Sequence, residues 1–183
     1  VKWTPIDTAV SYQVFYSGKG ITNKSIDNQL IRTYSDYIRA DVMGIEAGSY
    51  TLKVLPVFQN SVGDTASVEN INVLAYNRSG FAFSGNRIPG AYKANGTLKD
   101  NAVVIYITEN SKNKVSLNVS GANANPCVGL QTILDGFKKG ADTRPLVIRM
   151  VGQITDPDYL LKGDVVIENN QNASGYITLE GVG

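Results

Sequence analysis

The sequence contains no histidine and only one cysteine, Cys127. The absence of histidine excludes a Ser-His or Cys-His nucleophile pair from this chain and removes the commonest zinc ligand. A lone cysteine forms no intrachain disulfide, and it leaves the compartment open, because many exported proteins also lack disulfides. Cys127 precedes an apolar helical pattern, so we expect a packed, inert thiol.

Excess charge and long apolar runs are also missing. The 17 Lys and Arg residues and the 16 Asp and Glu residues leave a formal net charge of +1, which favours neither nucleic acid nor an anionic membrane as a partner. No run approaches the roughly 20 apolar residues of a membrane-spanning helix, so none is predicted. With 183 residues, 43% of them hydrophobic, the chain is long enough for one ordinary domain or two small ones.

Residues 1–76 have the pattern of short strands separated by turn signals. Tyr12, Val14 and Tyr16 alternate with residues of the opposite face, and Tyr50 and Leu52 do the same further on. The segment Ser17–Gly20 predicts a turn after Tyr16. Strands with this spacing are typical of an antiparallel sandwich.

Three motifs in this half resemble a fibronectin type III-like domain: Trp3-x-Pro5, Ala9-x-x-Tyr12-x-Val14-x-Tyr16 and Gly48-x-Tyr50-x-Leu52-x-Val54. The resemblance implies an Ig/fibronectin III-like sandwich over residues 1–76, with Trp3 in its core and Tyr50 at the tyrosine-corner position. It also implies a first strand before Val1, which we expect to be missing. Trp3, Tyr34 and Tyr37 are the aromatic candidates for stacking on sugars.

Residues 77–183 begin with a Gly-, Asn- and Ser-rich linker that carries the aromatic anchors Phe81, Phe83 and Tyr92. The apolar segment 102–108 predicts a buried strand, and the alternating segment 114–120 predicts a second strand that forms a hairpin with the first.

An amphipathic helix follows this predicted hairpin. Its apolar positions have the spacing i, i+3, i+4, i+7; they are Leu130, Ile133, Leu134 and Phe137. We expect Asn125 to cap the helix, Pro126 to take its first position and Gly140 to end it. Gly129 and Gly136 would then lie inside it, at a cost of up to about 1 kcal/mol each, so the helix needs support from a sheet or a core.

Short β-branched strands separated by polar corners fill residues 144–183. Such strands suit a parallel solenoid, in which each coil stacks on the previous one. Asn169, Asn170 and Asn172 fit its corners, although ordinary polar turns explain them equally well.

The same region resembles the opening of a bacterial pectate lyase, a right-handed parallel β-helix of polysaccharide lyase family 1. The segments that carry the resemblance are an amphipathic helix over Leu130–Phe137, a first coil strand over Leu146–Ile154 and the step over Ser174–Gly183. The resemblance implies a mainly β chain in which residues 77–183 form a linker and the truncated start of a β-helix. The chain is then expected to be a fragment of a longer, secreted, periplasmic or cell-surface bacterial enzyme.

The resemblance implies calcium-dependent β-elimination of pectin or polygalacturonate in the full-length parent, with an arginine as base. The family's catalytic motifs lie on later coils, so we assign no catalytic residue, no metal ligand and no cofactor to this chain, and substrate-binding residues stay open. Asp156, Asp158, Asp164 and Glu168 are acidic candidates for calcium, but we interpret them as solvated carboxylates. Arg144 and Arg149 are long enough to reach sugar carboxylates, but we expect them in surface ion pairs.

Two interpretations of function remain. In the first, the chain is a non-catalytic part of a pectate lyase. In the second, it is a stand-alone carbohydrate- or protein-binding module, or an adhesion module. In the first case the open end of the β-helix near residues 163–183 predicts self-association or local disorder.

Overall fold

A computed structural model gives the structure of the chain and describes residues 1–75, 77, 90–109, 111, 114–155, 167 and 176–183. The chain is mainly β, as predicted. It divides into two compact units. The first comprises Val1–Arg78 and Ala94–Thr97, and the second comprises Ser79–Lys93 and Leu98–Gly183.

The first unit consists of two open antiparallel sheets. Its elements are β1 (Lys2–Trp3), β2 (Ser11–Gly18), β3 (Ile21–Ser25), a 3-10 turn (Asn28–Leu30), β4 (Ile31–Thr33), β5 (Ile38–Ala40), β6 (Gly48–Val57) and β7 (Ala66–Val73). One sheet has the strand order β1-β5-β4, and the other has the order β3-β2-β6-β7. Antiparallel pairing is what the short, turn-separated strands predict.

Period-two alternation builds the core of this unit. Tyr12, Val14 and Tyr16 on β2 are buried, and Gln13 and Phe15 lie on the other face of the strand, as predicted. A neighbouring core face comes from β6, where Tyr50 and Leu52 are buried. Trp3, predicted to lie in the core, is half-buried and contacts the Tyr12 ring edge-on, at 5.3 Å between ring centroids.

Two local features of the first unit agree with the sequence. The hydroxyl of Tyr50 donates a hydrogen bond of 3.0 Å to the carbonyl oxygen of Glu46, four residues upstream, which is the bond of a tyrosine corner. The predicted turn between β2 and β3 has Lys19 and Gly20 at φ 52° and 79°. Positive φ at both positions is the geometry of a two-residue hairpin turn that follows the strand twist.

The second unit contains a parallel sheet. Its described elements are β8 (Val103–Ile107), β9 (Ser116–Leu117), β10 (Cys127–Val128), α1 (Leu130–Lys138), β11 (Leu146–Val151) and β12 (Ile177–Val182). The strand order of the sheet is β12-β11-β8, and both pairings are parallel. Ile148 lies beside Ile105 on one side and beside Leu179 on the other. Residues at the same register position therefore stand side by side in rows across the sheet.

The helix α1 packs against β8 and β11 on one face of this sheet, whereas Leu179 of β12 on that face is 61% exposed. Its four predicted apolar residues are buried, and they share one hydrophobic cluster with Ile105, Ile107, Leu146 and Ile148. The expectation that the helix rests on a sheet is therefore confirmed. Gly136 permits α1 to lie close to the segment after β9, since a Cβ there would lie 3.0 Å from Cγ1 of Val119. Gly140, at φ 79°, ends the helix as predicted.

The predicted hairpin between segments 102–108 and 114–120 is wrong. β8 pairs with β11, and β9 pairs antiparallel with β10. Apolar residues of β8 and β11 join beneath the same helix, so burial of two strongly apolar strands prevails over a local turn signal.

The predicted start of the helix is also wrong. α1 begins at Leu130 with Gly129 at its N-cap, at φ 90°. The side-chain oxygen of Asn125 accepts a hydrogen bond from the backbone of Val119 instead. The peptide bond between Asn125 and Pro126 is cis, and both residues precede the helix.

Several predictions fall outside the described residues. They concern the anchors Phe81 and Phe83, the corners Asn169, Asn170 and Asn172, the acidic candidates Asp156, Asp158, Asp164 and Glu168, and most of the segment 163–183, for which self-association or local disorder is predicted. The third anchor, Tyr92, is described, and it is buried as expected.

Candidate functional site

A row of three polar side chains crosses the parallel sheet on the face opposite α1. The strand register places Arg149 of β11 beside Tyr106 of β8 and beside Glu180 of β12. Residues of the helix-facing core alternate with these positions along each strand. Regular parallel pairing thus brings together three residues that are far apart in the sequence. We call them, with Tyr92, the Arg149 row.

Hydrogen bonds join the Arg149 row into one network. Nε of Arg149 donates to Oε2 of Glu180 at 2.9 Å, and Nη1 of Arg149 donates to the hydroxyl of Tyr106 at 3.1 Å. The hydroxyl of Tyr92 donates to the second carboxylate oxygen of Glu180. Arg149 is only 3% exposed and the Glu180 side chain is 15% exposed, so most of this ion pair is shielded from water.

The segment before β8 holds Tyr92 over the row. The backbone N–H of Ala91 donates to Oγ1 of Thr178 on β12 at 3.1 Å, and Nζ of Lys99 donates to the carbonyl oxygen of Gly90 at 2.7 Å. Gly90 has φ 52°, and a Cβ there would collide with Oγ1 of Thr178. Glycine is therefore required at this close approach.

Burial and hydrogen bonding hold two members of the row in one protonation state. Burial, together with the hydrogen bond to Glu180, raises the pKa of Tyr92 to about 12. Burial by itself would lower the pKa of Arg149, but the neighbouring side chains of Tyr92 and Glu180 outweigh it and raise that pKa. Neither group is a general base at neutral pH, since an efficient base has a pKa near the working pH. The row links β8, β11 and β12 as an electrostatic clamp.

The prediction for Arg149 as a surface residue is therefore wrong. Arg144 forms an ion pair as predicted, but its partner Asp142 is buried, so the pair lies only partly at the surface. Arg144 is part-exposed and makes a bidentate ion pair with Asp142, at 2.9 and 2.6 Å. Burial would raise the pKa of Asp142, but hydrogen bonds from Arg144 and from the backbone of Ser120 outweigh it and lower that pKa. Arg144 also donates to the carbonyl oxygen of Asn118 at 2.6 Å. The Arg144 guanidinium therefore links Asp142 to the backbone at Asn118, and its hydrogen bonds are made within the protein.

The tyrosines proposed as sugar-stacking residues contact each other. The rings of Tyr34 and Tyr37 stack at 4.7 Å between centroids, and Nζ of Lys2 lies 4.5 Å from the centroid of Tyr37. On the same sheet, Arg32 and Arg39 both pair with Asp41. These aromatic and cationic groups are occupied by contacts within the protein.

The remaining candidates for chemistry are the Cys127 thiol and possible metal ligands. Cys127 is buried, as expected, and burial raises the pKa of its thiol, so it is a poor nucleophile. Within the part of the chain that the structure describes, no group of three or more His, Cys, Asp or Glu residues is placed to hold a metal ion. None of the helices in that same part is long and apolar enough to cross a membrane.

Sequence reasoning missed Glu180, Tyr92 and Tyr106 as partners of Arg149. A signal was present, because Arg149 interrupts an otherwise apolar run, Leu146–Val151. A charged residue in a buried strand requires a buried partner, but the identity of that partner depends on a parallel register that the sequence alone does not show.

Comparison of the chain with protein-family models, with curated proteins and with solved structures finds no match. The class of protein and its activity are therefore inferred from the residues and the geometry.

Proposed function

We propose that this chain is part of a secreted bacterial enzyme that degrades polysaccharide and resembles pectate lyases of polysaccharide lyase family 1. In this proposal residues 1–76 form a fibronectin type III-like domain, and residues 77–183 form the linker and the first coils of a parallel β-helix. The parent enzyme would cleave polygalacturonate by calcium-dependent β-elimination.

The observation that carries the proposal is the parallel, in-register pairing of β8, β11 and β12 beneath α1. Parallel sheets need long crossover connections, and a stack of short parallel strands in aligned rows is the arrangement of neighbouring coils in a β-helix. The buried stripe of α1 packs on the apolar face of β8 and β11 in this arrangement.

The first unit supports the modular part of the proposal. Its two antiparallel sheets have four and three described strands, and the bond from Tyr50 to Glu46 is that of a tyrosine corner. Both features are typical of immunoglobulin-like sandwiches.

The proposed chemistry needs groups that the described residues do not assemble. β-Elimination removes a proton next to a uronate carboxylate, and calcium stabilises the charge that develops. Calcium takes six to eight oxygen ligands, and no cluster of three acidic residues occurs in the described ranges. Arg149 is tied to Glu180 and is unsuited to act as the base. We therefore expect no lyase activity from residues 1–183 alone.

An activity assay on two proteins tests this proposal. The first protein is the chain itself, and the second extends it by the sequence that follows in its reading frame. Both are incubated with polygalacturonate and calcium, and unsaturated uronate products are followed by ultraviolet absorbance. We expect products only from the longer protein, and a chelator should abolish them.

Two results would count against the proposal. Products from the chain alone would show that catalytic groups lie within it. A reading frame that stops at Gly183, or continues without β-helix coils and clustered aspartates, would instead support the stand-alone binding module.

A further inference from the structure

The first unit has a groove of about 570 Å³ beside β2 and β3. This volume lies within the range of small-molecule binding sites. It is lined by residues of β2, by the end of β3 and by the 3-10 turn that follows β3. The residues that line it and that matter here are Gln13, Phe15, Ser25, Asp27, Asn28 and Gln29.

Local structure fixes the shape of the groove. Phe15 lies directly opposite Ser25 in the antiparallel pairing of β2 with β3, and alternation places Gln13 on the same outward face. Oδ1 of Asp27 accepts a hydrogen bond of 2.9 Å from the backbone of Gln29. This cap holds the turn, and the turn presents the next two side chains to the groove.

Four polar side chains of the groove are available to form hydrogen bonds with a ligand. Among the residues that the structure describes, the side chains of Gln13, Ser25, Asn28 and Gln29 form no hydrogen bond with other protein groups. Each side-chain amide has both donors and an acceptor, and a hydroxyl both donates and accepts hydrogen bonds. This combination matches sugar hydroxyls, which also donate and accept. Phe15 supplies an apolar surface for the C–H face of a sugar ring.

The charge of the groove distinguishes between sugars. Its lining includes one carboxylate, Asp27, and no Lys or Arg. Lys53 lies opposite Phe15 on β6, but its Nζ donates to Oδ1 of Asn23 at 3.2 Å. A uronate polymer would place like charge beside Asp27, and like charges in contact oppose binding. A neutral sugar meets no such repulsion.

We propose that this groove binds a neutral carbohydrate chain through its hydroxyl groups. The inference concerns the first unit and does not depend on the lyase proposal, because it stands on the groove's own lining. It assigns to this unit a specificity different from the acidic substrate proposed for the parent enzyme.

Affinity electrophoresis of the whole chain in gels containing soluble xylan, galactan, β-glucan or polygalacturonate tests the proposal. We expect at least one neutral polysaccharide to retard the chain, and polygalacturonate to retard it less. The double variant Gln13→Ala/Asn28→Ala should weaken the retardation about tenfold in apparent affinity, the effect of losing two ordinary hydrogen bonds.

A matched control is the double variant Gln59→Ala/Asn60→Ala, since both residues are exposed in the loop after β6. The control should bind like the parent chain, and fluorescence of Trp3 should show that both variants are folded. Lack of retardation by every neutral polysaccharide would overturn the proposal, and so would stronger binding to polygalacturonate or equal losses in both variants. Binding of an extended peptide in place of sugar would likewise overturn it.

Discussion

Replacing Glu180 by glutamine removes one charge from the Arg149 row and keeps its shape. The two charged atoms lie 2.9 Å apart, and at an effective dielectric constant of about 20 their attraction is on the order of 6 kcal/mol. Much of this is offset by desolvation of both charges. The amide leaves a positive guanidinium in a site where Arg149 is 3% exposed, and an uncompensated buried charge costs about 3–5 kcal/mol.

Hydrogen exchange at the backbone amides of β11 measures this cost in the second unit alone. Since about 1.4 kcal/mol corresponds to a tenfold change in an equilibrium constant, Glu180→Gln should accelerate exchange by roughly one hundred- to a few thousand-fold. The double variant Arg149→Met/Glu180→Leu should accelerate it less than Glu180→Gln does, because it leaves no buried charge.

Asp100→Asn is the matched control for Glu180→Gln. Asp100 pairs with Lys93 at 2.5 Å, but its side chain is 92% exposed. A surface pair contributes about 0–1 kcal/mol, so exchange in this variant should change less than about tenfold. If Glu180→Gln and Asp100→Asn had equal effects, burial would not determine the strength of the Arg149 row, and the reasoning would be refuted.

Three further variants test individual contacts, one within the Arg149 row and two elsewhere. Folding raises the pKa of the Tyr92 hydroxyl from 10.0 to about 12. The stability that the protonated hydroxyl adds is therefore complete below pH 10 and is lost as the pH rises toward 12. Tyr92→Phe should remove this loss from unfolding curves measured between pH 9 and 12. Tyr50→Phe removes the hydrogen bond to Glu46 and should lower the free energy of unfolding by about 1 kcal/mol in urea titrations followed by tryptophan fluorescence. Gly136→Ala improves helix propensity but brings a Cβ to 3.0 Å from the buried Val119. We expect the free energy of opening, measured by hydrogen exchange in β11, to fall by about 1–3 kcal/mol. A rise in that free energy would show that the contact with Val119 relaxes freely.

Much of the local structure could be predicted because it depends on nearest neighbours and on one buried face. Alternation identified the core residues of β2 and β6, and the 3.6-residue period identified the buried stripe of α1. The turn at Ser17–Gly20 and the end of the helix at Gly140 depend on backbone conformations that glycine and short turns favour.

Pairing between distant strands could not be predicted in the same way. The partner of β8 is β11, which follows it by about forty residues, and the two pair because both bury an apolar face beneath the same helix. A local turn signal suggested a hairpin instead. The polar groove is a comparable case, since Gln13 and Asn28 become neighbours only when β3 folds back beside β2.

The sequence by itself determined the mainly β character of the chain, the apolar face of each long strand and the stripe of its helix, because side-chain periodicity is a local property. Tertiary structure decided which strands pair and where a buried charge finds its partner. Arg149 illustrates the difference: its place in an apolar strand is visible in the sequence, but only the parallel register of β11 with β12 sets it against Glu180.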